Sequence, residues 1–390
     1  MRRVSPGTQT GLFSLPQFWE RVGRFLPRAW LDWAEIHAWP EPVSDSDLRA
    51  DLFFWKSRRV ALVKQTAYHA LYLKPDPLDW KKTVFSSHWH LGPFSFLAEL
   101  KADYHIVRQA SEPETFLWKK KYADDPDPNN SFVRKMEEVR TLEASGPGRL
   151  LPSVDDIAWS QYDLVIAIDI PIPERIVRKC PATLWCYYSI EAGGPLQKHS
   201  LIAPLAGYRL FLNHGFRRYR SRPQNRGHVL EFPLQFQSPG AWEELRKAVP
   251  FAGNRSCILL EKNSWADPLP SSRLPIGHPA GDALAYLQQM LTAWACLHTT
   301  WKPRWGNWAV EAVLSGSVFL GNAGSLAQIS PLLPGLDCRT LADGITKANV
   351  LAENQTAWEA VQRQQTRVVD QVAFRRPLAD LTRKAREFFR

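Results

Sequence analysis

Short apolar runs bounded by turn residues recur along this chain, and their spacing sets the first expectation. "YDLVIAIDIPIP" is continuously apolar, as a strand buried on both faces of a parallel sheet requires. "ATLWCYYSIEAGG" and "YRLFLNHG" repeat the theme. Upstream, "TVFSSHWHLGPFSFLAELKADYHIVRQ" reads as strand, Gly-containing bend, helix and a second strand at Tyr104 to Val107. Near Gly240 the chain leaves this pattern through "FPLQFQSPGAWEEL", and a second set follows. It comprises a strand from Cys257 to Leu260, a Pro-rich loop to Gly281 and a helix from Ala283 to Leu291. A strand from Trp294 to His298, a helix from Asn307 to Leu314 and a strand from Val318 to Leu320 complete it. Apolar strands alternating with helical patterns predict α/β sheets wound with right-handed crossovers.

The flanks read differently. Residues 16 to 39 carry aromatics and Leu at helical spacing with Arg between them, interrupted at Pro27, which predicts two short helices. They either dock on a membrane or partner or pack on the neighbouring domain. Residues 119 to 150 read as a polar loop and then a surface helix near Phe132 to Leu142. From Ala357 the chain is helical and basic, with a break expected at "RRP", residues 375 to 377. The predicted organisation is an N-terminal helical extension over 1–80, a Rossmann-like domain over 81–235, a second over 236–356 and a helical tail over 357–390.

Composition adds constraints. The chain has 390 residues, two domains' worth, and a formal net charge of +10, which draws it towards nucleic acid, acidic lipid headgroups or phosphorylated ligands. Five cysteines, an odd number with no C-x-x-C pairing, indicate neither a disulfide framework nor a zinc site and point to the cytoplasm. No run of about 18 apolar residues and no signal-peptide core occur, so a spanning helix is not expected.

Candidate chemistry concentrates in "RWGNWAVEAVLSGSVFLGNAGSL", residues 304 to 326. In a parallel sheet the loop after the strand ending at His298 lies at the carboxyl edge, where ligands bind. A helix starting there directs unpaired N–H groups and its positive end into the crevice, favouring a phosphate. Gly306 permits close backbone approach, and Asn307 suits an N-cap. Glu311, one turn on, either faces solvent or accepts hydrogen bonds from ribose hydroxyls. Amid Val310, Ala312 and Val313 its carboxylate needs a partner. Gly316 is expected to end the helix, and "GNAGSL" offers a second turn with free amides.

This stretch resembles the signature of the nucleotide-sugar glycosyltransferases of the GT-B fold, E-x-F-G-x-x-x-x-E-A-x-A-x-G-x-P-V-I-x-x-x-x-G-G. Gly306, Glu311, Ala312 and Gly316 fall in register, and Gly324 lies one position early. The family's first glutamate is replaced by Pro303, and Ser325 follows the single displaced glycine. The resemblance implies two Rossmann-like domains facing across a cleft, the second binding the donor and the first the acceptor. It places Lys262, in "CILLEKNS", with Arg304, Trp305, Gly306, Asn307, Glu311, Gly324 and Ser325 around a nucleotide diphosphate sugar. No metal or further cofactor is expected.

On the acceptor side the turn "SSHWHLGPF" comes nearest the transferred sugar in that family. His90 is the candidate base, since an imidazole titrating near neutrality accepts a hydroxyl proton. His88 and Gly92 flank it. Glu191 in "YYSIEAGG" ends another strand and is the second catalytic candidate: it orients an acceptor hydroxyl or assists as a base, or else caps the following helix. "HGFRRYRSRP" supplies Arg217 and Arg218, interleaved with aromatics in a way that suits phosphates and stacked rings. A base at His90 implies an inverting displacement; a merely binding histidine leaves a retaining path. The expected acceptor is a glycan, a lipid-linked or a small molecule, with the enzyme cytoplasmic or held peripherally at the inner face of an anionic membrane. A transferase acting on a modified base of nucleic acid, and a catalytically degenerate binding protein, are the alternatives.

Overall fold

Alternate residues of one central strand enter two different cores, and this decides the architecture. The computed structural model describes residues 41–66, 94–108, 152–168, 170–189, 207–213, 228–233, 235–251, 253–260, 271–278, 283–298, 307–321, 333, 336–338 and 340–390. Helix α1 (Asp45–Lys56) leads into β1 (Val60–Thr66), and a short α2 (Ser95–Ala98) into β2 (Asp103–Arg108). Then come β3 (Leu164–Ile168), a short α3 (Glu174–Val177), β4 (Leu184–Ser189), β5 (Leu210–Asn213) and β6 (Val229–Glu231). These six strands form one sheet in the order β2-β1-β3-β4-β5-β6, parallel throughout. Leu164, Ile166 and Ile168 of β3 pack into one apolar cluster with Phe96, Phe232 and Phe236. Val165 and Ala167 pack into another with Trp159, Trp185 and Tyr208. Both faces are buried, which is why this strand reads as an unbroken apolar run.

Helix α4 (Pro239–Lys247), capped by the Ser238 hydroxyl, carries the chain to the second sheet. Its elements are β7 (Cys257–Leu260), β8 (Ile276–Gly277), α5 (Ala283–Thr292), β9 (Ala293–His298), α6 (Asn307–Leu314) and β10 (Val318–Gly321). The strand order is β10-β9-β7-β8, again parallel. The α/β class with two parallel sheets is therefore as the hydrophobic pattern predicts. Gly316 ends α6 as expected: at φ 80° it lets its own N–H reach Val313 O (2.9 Å) and that of Ser317 reach Ala312 O (2.9 Å).

Helices α7 (Leu341–Glu353) and α8 (Gln355–Val369), a π-helical turn (Asp370–Arg375) and α9 (Arg376–Phe388) complete the chain. Three expectations change here. First, β1 lies within the stretch read as an N-terminal extension: the sheet includes residue 60, well before 81, because the polar end of "VALVKQT" hides a strand that pairs on both sides. Second, β8 is a two-residue strand inside the presumed Pro-rich loop. Third, the chain does not break at 375–377. The π turn runs directly into α9, and the Ala373 carbonyl, to which Pro377 has no N–H to donate, accepts instead from the Gln237 N–H at 3.2 Å. Nor is α9 a tail: Phe374, Leu378, Leu381 and Ala385 close one face of the first sheet, and the Trp55 indole donates to Thr382 Oγ1 at 2.8 Å. The helices expected within 16–39, the strand expected from Thr83 and the surface helix near Phe132 lie outside the described residues.

Candidate functional site

A parallel sheet opens a crevice where consecutive connections leave in opposite directions. In the second sheet the chain runs from β7 to β8 on one side and returns to β9 on the other, so the crevice lies beyond Leu260 and His298. Helix α6 is the crossover from β9 to its parallel neighbour β10, and its first turn therefore rises at this same edge. Its inner side joins a large apolar cluster with Tyr286 and Leu287 of α5, Trp242 of α4 and Phe94 beside α2.

Glu311 sits in this cluster at 8% exposure, and both carboxylate oxygens have partners. Oε1 accepts from Gln235 Nε2 at 3.0 Å, and Oε2 accepts from the Tyr286 hydroxyl at 2.5 Å. Gln237 Nε2 in turn donates to Gln235 Oε1. A polar chain thus threads an apolar seam, tying the segment that leaves the first sheet to two helices of the second. Burial pushes the Glu311 carboxyl up to about 7, opposed by the tyrosine hydrogen bond. The Tyr286 hydroxyl is pushed far up by burial and then by the neighbouring carboxylate. Trp308, in the first turn of α6, is buried, and its Nε1–H finds no acceptor among the described residues.

No protein-family model matches the chain, and no curated relative does. Among solved structures the chain is similar to HepE of Anabaena in complex with UDP-glucose, at 14% identity over 85% of this chain and 98% of that one, with a TM-score of 0.39. It is also similar to sucrose-phosphate synthase of Thermosynechococcus elongatus, at 12% identity over 85% and 99%, with a TM-score of 0.41. A glycosyltransferase of Rickettsia africae shows 10% identity over 86% and 99%, with a TM-score of 0.40. These are distant likenesses; the fold class rests on the two parallel sheets themselves.

Of the residues singled out from the sequence, Glu311 has its side-chain partners among the described residues. It does not face solvent. The expected ribose contact has to share the carboxylate with two internal donors, since two of its roughly four lone-pair positions are taken. Asn307 is the first residue of α6. Lys262, Arg304, Trp305, Gly306, Gly324, Ser325, His88, His90, Gly92, Glu191, Arg217 and Arg218 lie outside the described residues. By chain position, Lys262 follows the end of β7 by two residues, Glu191 that of β4 by two, and Gly324 that of β10 by three. Sequence reasoning missed Gln235, Gln237, Tyr286 and Trp308. The alternation Leu-Gln-Phe-Gln within "FPLQFQSPG" was the available signal for two buried amides.

The raised Glu311 carboxyl has a consequence for stability. In the unfolded chain it ionises near 4.5, in the folded chain near 7, so between these values the folded state holds more protons. Stability then falls as pH rises through that window and levels off above it. Glu311→Gln is expected to flatten this decline between about pH 5 and 7.5 in urea unfolding followed by tryptophan fluorescence. Parallel profiles for variant and parent would show that Glu311 titrates normally.

Proposed function

We propose that the chain is a glycosyltransferase that moves a sugar from a nucleotide diphosphate sugar to an acceptor hydroxyl. The observation that carries this reading is the placement of α6. The helix that carries Glu311 and Ala312, the in-register pair of the pattern that begins at Gly306 in the sequence, is the crossover that rises at the β7/β9 switch point, with its glutamate buried one turn in. In this reading the amides at the start of α6 and the Lys262 ammonium neutralise the leaving diphosphate, an electrostatic contribution of several kcal/mol in such sites. Arg304, Trp305 and the turn at Gly324 and Ser325 complete the donor side. Glu311 takes the ribose hydroxyls with the lone pairs that Tyr286 and Gln235 leave. His90 removes the acceptor proton, Glu191 orients the acceptor, and His88, Gly92, Arg217 and Arg218 line its side of the cleft.

Turnover tests this directly. Incubation with uridine, adenosine and guanosine diphosphate sugars and a panel of hydroxyl acceptors is expected to release free nucleoside diphosphate with one nucleotide class. His90→Ala is expected to lower the rate by about 10²- to 10⁴-fold, as loss of a general base does. Donor binding without release across the panel would leave a nucleotide-sugar binding protein and refute transfer.

A further inference from the structure

At the amino edge of the first sheet, remote along the strands from their carboxyl ends, lies an open groove of about 550 Å³. It is formed by the last turn of α1, the start of β1 and the turn between α2 and β2. Its lining includes Leu52 and Trp55, with Lys56, Arg58, Arg59 and Lys101 as the cations. The carboxylates that line it are already engaged. Glu99 accepts from the Ser238 hydroxyl, and Asp103 accepts from Arg59 at 3.1 Å and from the Tyr162 hydroxyl at 2.9 Å. Arg58 lies over the rings of Phe54 and Phe389, and Lys101 donates to the Ala98 carbonyl. Lys56, Arg58 and Lys101 have no carboxylate partner among the described residues.

Phe53, on the same wall, is 76% exposed. Of the three acidic residues of α1, Asp45 and Asp47 stand in its first turn, and Asp51 is buried and paired with Arg386 at 3.2 Å. Twelve residues of helix separate the two ends by about 18 Å, roughly twice the Debye length at physiological salt, so the groove keeps its positive field.

We propose that this groove docks the chain on an anionic phospholipid surface, with Phe53 entering the acyl boundary and Lys56, Arg58 and Lys101 meeting lipid phosphates. Charge and apolarity meet on this one face. A small soluble anion would neutralise the cations and leave Phe53 in water, whereas a bilayer surface covers both. The proposal is independent of sugar transfer and uses none of the residues assigned to it.

Sedimentation with vesicles is the test. The full chain is expected to pellet with vesicles of equal parts phosphatidylcholine and phosphatidylglycerol, and not with phosphatidylcholine alone. Lys56→Glu should lower the partition coefficient by roughly thirtyfold and Phe53→Ser by about tenfold or more. Both side chains are exposed, and unchanged circular dichroism verifies that the variants fold. Variants that pellet like the parent, or a parent indifferent to lipid charge, would overturn the proposal. So would full competition by glycerol phosphate, which would reveal a site for soluble anions.

Discussion

Replacing Glu311 with alanine is expected to cost about 2–4 kcal/mol of unfolding free energy at pH 5, and less at pH 8. Truncation strands the Tyr286 hydroxyl and the Gln235 amide in an apolar seam, and each stranded buried group costs roughly 1–3 kcal/mol. The pH dependence follows from the raised carboxyl. At pH 8 the parent itself bears a buried charge that alanine relieves; at pH 5 it does not. Urea unfolding at the two values measures both numbers. A larger loss at pH 8 would reverse the sign and place a charge-stabilising group beside Glu311 that the described contacts do not contain.

The second large effect concerns the edge of the second sheet. Strand β10 pairs with β9 on one side; on the other its last residue, Gly321, bridges to Asp337, and at Phe319 the side chain of Gln365 from α8 takes the place of a strand. Its Oε1 accepts from the Phe319 N–H at 2.8 Å, and its Nε2 donates to the Phe319 carbonyl at 2.8 Å. Gln365 is 1% exposed, so no water substitutes for the lost amide. Gln365→Leu keeps the volume and strands both backbone groups, which should cost about 2–4 kcal/mol and speed exchange of the Phe319 amide. A cost below about 0.5 kcal/mol, with exchange unchanged, would show that the strand holds without this amide.

The parts of the fold legible in the sequence are those whose environment is uniform. Strands β3, β4, β7 and β9 are buried on both faces, so their runs are continuous and their limits fall where turn residues begin. Strand β1 is equally central but ends in Lys64, Gln65 and Thr66. Gln65 spends its amide on the carbonyls of Ile170 and Pro171, at 3.4 and 2.7 Å, a long-range use that no local pattern announces. The C-terminal segment reads as a basic amphipathic helix in isolation. Only the tertiary arrangement shows that its apolar stripe closes the first sheet.

The candidate site divides in the same way. A lone carboxylate in an apolar helix must find partners, and Glu311 has two, Gln235 and Tyr286. Which partners it finds is not local: Tyr286 is 25 residues away and Gln235 is 76, on the segment that leaves the first sheet. A ribose contact at Glu311 follows from its helix position and from its register in the glycosyltransferase-like pattern. The structure adds two competing donors to the same carboxylate, and any ligand has to be accommodated beside them.

Calorimetric titration of the full chain with nucleotide diphosphate sugars tests the central claim most directly, that the crevice beyond β7 and β9 takes this ligand. The account predicts saturable binding at one site for one nucleotide class, weakened about tenfold or more by Lys262→Ala, as loss of a charge-assisted contact to a diphosphate implies. Absence of binding across the nucleotide classes, or equal affinity in parent and variant, would contradict it.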